Sequence, residues 1–144
     1  MEKTVHRPKK WFCRLGYLAL NVSDLERSLD FYQRCANLVL THREADSAYL
    51  RTQHEHHCLA LYQSDQPGLR HMSFETLSDE ETEGFRQFLE QRGVPVREAP
   101  EVPGRIGAAF QFQDPDGNWV EIYRTMGRVA GIVSQGPFKI HKLG

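Results

Sequence analysis

Two stretches of the chain alternate apolar with small or polar residues: Leu15-Gly16-Tyr17-Leu18-Ala19-Leu20-Asn21-Val22 and Leu69-Arg70-His71-Met72-Ser73-Phe74-Glu75-Thr76. A period of two is the pattern of a strand with one buried face. Each stretch runs into the same kind of helix start. Ser23-Asp24-Leu25-Glu26 and Ser78-Asp79-Glu80-Glu81 both place a serine three residues ahead of a glutamate, which predicts a capping box with the serine at the N-cap. Apolar residues then recur at helical spacing, as Leu25, Leu29, Tyr32 and Ala36 in the first case and Phe85, Phe88 and Leu89 in the second, with Gly93 as a stop.

Three more strands are predicted after each helix, over 38–43, 48–51 and 58–63 and again over 96–99, 107–113 and 118–124. Asp114-Pro115-Asp116-Gly117 suits a tight turn between the last two. The chain thus reads as βαβββ twice over, with Leu59-Ala60-Leu61-Tyr62 answering Val120-Glu121-Ile122-Tyr123. Neither unit could bury its sheet alone. The expectation is an α+β fold in which two βαβββ repeats form one strongly curved mixed sheet, helices outside and a concave face left for function. Residues 1–12 read as an N-terminal arm, 13–125 as the paired domain and 126–144 as a linker toward a second module.

Strand parity assigns side chains to faces. Leu18, Leu20, Val22, Met72, Phe74, Phe110, Phe112, Val120 and Ile122 are expected to face the helices. The opposite face collects Tyr17, Ala19 and Asn21, then His71, Ser73 and Glu75, then Gln111, and finally Trp119, Glu121 and Tyr123. Parity along Cys58, Ala60 and Tyr62 extends that face back to His56. Aligning the repeats puts Tyr17, Ala60, His71 and Glu121 at its centre. His71 and Glu121 could form two corners of a 2-His-1-carboxylate metal triad. Tyr17 stands at the third position, where a neutral phenol (pKa about 10) is a poor ligand, and Ala60 has no donor atom. Two readings stay open: a partial or degenerate metal site, or a wet cavity in which these groups bond one another. The expected lining of that cavity is Tyr17, Asn21, His56, Tyr62, Ser73, Gln111, Trp119 and Tyr123. His54-Glu55-His56-His57 sits where the second repeat has its Asp-Pro turn and is expected to be a solvated connection, with Cys58 a small packed thiol.

Composition narrows the partners. Eighteen Lys and Arg against 19 Asp and Glu leave a net charge of -1, which argues against an electrostatic role on nucleic acid or anionic membrane. No apolar run approaches the roughly 20 residues of a membrane span. A length of 144 residues, 40% hydrophobic, supports one modest core and excludes a large multidomain enzyme. Cys13, Cys35 and Cys58 are odd in number and form no CxxC, and basic Met1 to Lys10 leads into no apolar run; both features point to a cytoplasmic setting. Phosphate-cradling loops, HExxH and GxSxG are missing as well.

The opening Leu15-Gly16-Tyr17, Val22-Ser23-Asp24-Leu25-Glu26-Arg27-Ser28 and Phe31-Tyr32 resembles the vicinal oxygen chelate superfamily, which includes glyoxalase I, bleomycin- and fosfomycin-resistance proteins and type I extradiol ring-cleavage dioxygenases. Ala48-Tyr49-Leu50-Arg51, His56 to Leu61, Leu69 to Phe74 and Asp114 to Glu121 are most similar to the extradiol branch, and the resemblance covers about Arg14 to Arg124. It implies a parent chemistry in which O2 enters a catechol ring beside its hydroxyls. The Fe(II) or Mn(II) is held by His, His and Glu in the second of two paired modules, while the first is usually degenerate. Tyr17 in place of the first ligand matches such a non-catalytic N-terminal module, which need bind no metal itself. His141-Lys142-Leu143-Gly144 parallels Cys13-Arg14-Leu15-Gly16, implying a second module beyond, or else pairing with another copy of the chain. The same resemblance also admits a freestanding binding protein of the bleomycin-resistance type holding an aromatic or cationic small molecule. It further admits a glyoxalase-like metal-dependent lyase or isomerase, completed by a partner chain or by His56.

Overall fold

The computed structural model describes residues 11–129. Its elements are β1 (Phe12–Val22), α1 (Leu25–Arg34), β2 (Val39–Arg43), β3 (Ser47–Arg51), β4 (Leu59–Gln63), β5 (Gly68–Thr76), α2 (Asp79–Gln91), β6 (Arg97–Glu98), β7 (Arg105–Gln113) and β8 (Trp119–Met126). All eight strands form one mixed sheet in the order β2-β3-β4-β1-β5-β8-β7-β6. β1 pairs in parallel with β4 and β5 in parallel with β8, while β1 and β5 pair antiparallel at the centre. The order therefore reads the same from either edge. The two βαβββ units expected from the sequence are present, related by a pseudo-two-fold axis between β1 and β5.

The second helix starts as expected, with the Ser78 hydroxyl accepting from the Glu81 amide at 3.1 Å. The first does not. Its N-cap is Asp24 rather than Ser23, and the Asp24 carboxylate accepts from the Arg27 amide at 3.1 Å. Gln63 on β4 explains the shift: it donates to the Ser23 carbonyl and accepts from the Leu25 amide at 2.8 Å, so Ser23 is held by the sheet and the first turn begins one residue later. Ala36 lies beyond the end of α1, and Gly93 (φ +74) follows α2 as a stop.

Two apolar layers cover the outer face. Val22, Leu25, Leu29, Ala48, Leu50, Leu59 and Leu61 pack under α1, and Phe85, Leu89, Phe110, Val120 and Ile122 under α2. Leu18, expected against the helices, is 36% exposed, because each helix covers only its own half and the β1–β5 seam lies between them. A third cluster, Tyr17, Ala19, Tyr49, Ala60, Ala109, Tyr123 and Met126, fills the floor of the concave face.

The domain is longer at both ends than the repeats suggested. Trp11 packs on Phe85 with ring centroids 5.9 Å apart, and β1 begins at Phe12. β8 runs to Met126, and the chain beyond it stays tied down: His56 donates to the Gly127 carbonyl, Gly127 to Gly104 and Val129 to His54. Residues 1–10 and 130–144, and with them most of the expected arm and linker, lie outside the described residues. Among the described residues no helix is long and apolar enough to cross a membrane.

Candidate functional site

Strand register builds the site as two rows across the concave face. One runs Tyr17, Ser73, Glu121, Gln111 and Arg97 over β1, β5, β8, β7 and β6. The other runs Tyr49, Ala60, Ala19 and His71 over β3, β4, β1 and β5. The two alanines leave room for the tyrosine rings packed over them.

Glu121 is the centre of the first row and is 1% exposed. A buried carboxylate needs charge and hydrogen bonds supplied by its neighbours, and here each oxygen has them. Oε1 accepts from the Tyr17 hydroxyl in a short bond, from Arg105 Nη1 at 3.1 Å and from Ser73 Oγ at 3.4 Å. Oε2 accepts from Gln111 Nε2 at 2.7 Å. His71 Nε2 stands 3.8 Å from Oε2, outside hydrogen-bond range, while its Nδ1 lies 2.9 Å from Ser73 Oγ. Burial lowers the His71 pKa, with the Glu121 charge opposing it. Burial, reinforced by the Glu121 charge, pushes the Tyr17 pKa well up and keeps it a phenol.

These groups do not fit a resident Fe(II) or Mn(II). Among the side chains of the two rows, only His71 and Glu121 are donors of the required type. The third position is a phenol donating a hydrogen bond to Glu121, and a guanidinium lies against the same carboxylate oxygen. Among the described residues no three His, Cys, Asp or Glu side chains come together as a metal cluster.

Above the row opens a cavity of about 690 Å³, within the usual span for small-molecule sites. Of the expected lining, Asn21, Tyr62, Gln111 and Trp119 border it, together with His71 and Glu121. Tyr17, Ser73 and Tyr123 are buried and do not line it. The Tyr123 hydroxyl donates instead to Glu75 at 3.4 Å. His56 is half-buried and also off the cavity, its ring against Gly104. Arg70 lies 4.2 Å over the Tyr62 ring and donates to Asn21 Oδ1 at 3.1 Å. Arg97 lies 3.3 Å over Trp119 and donates to Gln111 Oε1 at 3.0 Å. Both aromatic faces offered to a ligand are thus already covered by guanidinium groups, which counts against a cationic ligand stacked there.

Three groups at or beside the site escaped the sequence reading. Tyr49 was not assigned to a face, although it shares parity with Arg51 and Ser47. His57, placed in a solvated turn, is 1% exposed and meets Tyr17 and Tyr49 at ring distances of 4.9 Å each. The connection is only partly solvated: Arg14 binds Glu55 at 2.8 Å and the bridge from Glu55 to Arg128 holds the loop down. Burial, with His56, Arg105 and His71 nearby, lowers the His57 pKa to about 3. Arg105 was missed because β7 was expected to begin at Gly107, where the register is irregular and φ is +83; the strand begins two residues earlier, and parity counted back from Gln111 puts Arg105 on the concave face.

Residues 14–122 match the model of the Glyoxalase/Bleomycin resistance protein/Dioxygenase superfamily. A manganese-dependent 2,3-dihydroxybiphenyl 1,2-dioxygenase of Geobacillus genomosp. 3 is 32% identical over 114 residues, 76% of this chain and 36% of the relative. Glutathione transferase FosA of Serratia marcescens is 33% identical over 115 residues, 76% of this chain and 79% of that protein. In three dimensions the chain is similar to homoprotocatechuate 2,3-dioxygenase from Brevibacterium fuscum, at 25% identity and a TM-score of 0.76, covering 82% of this chain and 38% of the other. The chain spans less than half the length of these dioxygenases and most of the length of FosA. Doubled βαβββ units, the curved sheet and the matched residues agree: the chain belongs to the Glyoxalase/Bleomycin resistance protein/Dioxygenase superfamily.

Proposed function

We propose that this chain is the N-terminal, non-catalytic module of an extradiol-dioxygenase-like protein of aromatic catabolism, with ring cleavage carried out at a metal held by a second module. The observation that carries the reading is the closed hydrogen-bond set of Glu121. Tyr17, Arg105, Ser73 and Gln111 fill the carboxylate's coordination, so that His71 and Glu121 hold no opening for a metal and O2 together. The chain's 36% and 38% shares of its dioxygenase relatives support a place within a longer protein. The test is metal analysis and oxygen uptake on the purified chain with catechol and ring-substituted diols. Substoichiometric Fe, Mn and Zn with no ring cleavage is expected, and one metal per chain with diol-dependent oxygen uptake would refute it.

A second reading is favoured by the cavity: a freestanding small-molecule-binding protein of the resistance type, consistent with a FosA relative of similar length. It predicts a rise in thermal midpoint with some member of an aromatic ligand panel. A flat response across the panel leaves the first reading.

A further inference from the structure

We infer that Arg105 is a built-in cation that takes over the charge-balancing role a divalent metal would have at Glu121, and that it, rather than the missing ligand alone, keeps metal out. This rests on the reading of the module as non-catalytic and assigns the group responsible.

Arg105 and Glu121 form an ion pair at 3.1 Å whose side chains are only 5% and 1% exposed. A carboxylate buried to that degree requires a counter-charge, and among the described residues Arg105 is the only Lys or Arg paired with it, while His71 Nε2 stands 3.8 Å away, outside hydrogen-bond range. Guanidinium stays protonated throughout the usable pH range. A metal could displace a phenol or imidazole proton, but it cannot neutralise Arg105, so it would bind beside a fixed positive charge in a poorly screened interior.

The position of Arg105 is also built into the backbone. Its Nη2 donates to the Pro100 carbonyl at 2.6 Å, tying the rim segment Pro100 to Val102 to the floor of the cavity. Gly104 before it has φ +79, and a Cβ there would come within 2.2 Å of His56. The Gly104 carbonyl is held by the Gly127 amide. The guanidinium is therefore fixed from both sides rather than swinging into the site from solvent.

The closing experiment compares wild type, Tyr17→His and the double variant Tyr17→His/Arg105→Leu, each stripped of metal and titrated with Co(II) and Mn(II), by thermal shift, metal content and the visible spectrum of Co(II). Tyr17→His restores the third ligand yet is expected to stay metal-indifferent. The double variant is expected to take up one metal per chain, with a Kd at least tenfold below that of Tyr17→His and a metal-dependent rise in midpoint. Equal Co(II) affinity in the two variants, or none in a folded double variant, overturns the role of Arg105 and leaves the non-catalytic reading standing. Stoichiometric metal in the wild type overturns both. A metal-free cycle covers the case in which the double variant does not fold: Arg105→Met/Glu121→Gln should unfold at a higher temperature than either single variant, and purely additive losses would overturn the pairing.

Discussion

His57 is carried into the folded protein as a neutral imidazole. Its folded pKa of about 3 lies below the ordinary 6.5, so between those values the unfolded chain binds more protons than the folded one. Stability contributed by this group is complete above the unfolded pKa and is lost as pH falls through the window. Each unit of such a shift is worth about 1.4 kcal/mol, and burial lowers His71 and His56 in the same direction. The thermal midpoint should drop steadily from pH 6.5 to pH 4, and His57→Phe should flatten that drop; an unchanged slope in the variant would assign the acid sensitivity elsewhere. Gly16 makes a steric demand of a different kind. A Cβ there would lie 1.7 Å from the Tyr123 hydroxyl, so Gly16→Ala is expected to cost about 1–3 kcal/mol. Adding Tyr123→Phe removes the nearest clashing atom and should recover part of the loss in chemical denaturation; no recovery would mean the strain arises from the backbone.

At the scale of elements, the two helix starts look alike in sequence and differ in structure. Asp24→Ala is expected to cost about 1 kcal/mol and Ser78→Ala a similar amount, because each removes the side chain that caps the first turn. Ser23→Ala should stay within about 0.5 kcal/mol, as its side chain is exposed and makes no cap. Urea denaturation of the three variants distinguishes this from the capping box at Ser23 that the spacing suggests. The same contrast marks what could be read from the sequence. Periodicity and the repeat were sufficient for every strand, both helices and the convergence of Tyr17, Ser73, Gln111 and Glu121, since these depend on local pattern and strand parity. Ser23 failed because Gln63, 40 residues away, holds its carbonyl. His57 and Arg105 were not found because each lies just outside the strand the pattern predicts, 58–63 in one case and 107–113 in the other, and so was assigned no face. Both are placed by contacts distant in sequence, Arg14 with Glu55 and Gly104 with Gly127, which no local pattern reports.

For the whole molecule, the central question is whether the two βαβββ units behave as one body. β1 has its own half on one side, through β4, and the other half on the other, through β5. The buried bond between Tyr17 and Glu121 crosses the same seam, as does the Arg14 pair with Glu75 at 3.1 Å. Separating the halves would expose the long edges of β1 and β5 together with the polar floor of the site, so neither half should persist when the other unfolds. The placement of tryptophan makes this measurable: both Trp residues belong to the α2 side, Trp11 against Phe85 and Trp119 on β8. Leu50, fully buried under α1, lies in the opposite half. Leu50→Ala should cost about 2–5 kcal/mol, lowering the midpoint by on the order of 10 °C for a domain of this size. If the sheet unfolds as a unit, tryptophan fluorescence and far-ultraviolet circular dichroism will record the same lowered midpoint, although the substitution touches neither indole. A fluorescence midpoint left at the wild-type value would show that the second unit survives alone, and the pairing across β1 and β5 would then be an association of two independent folds.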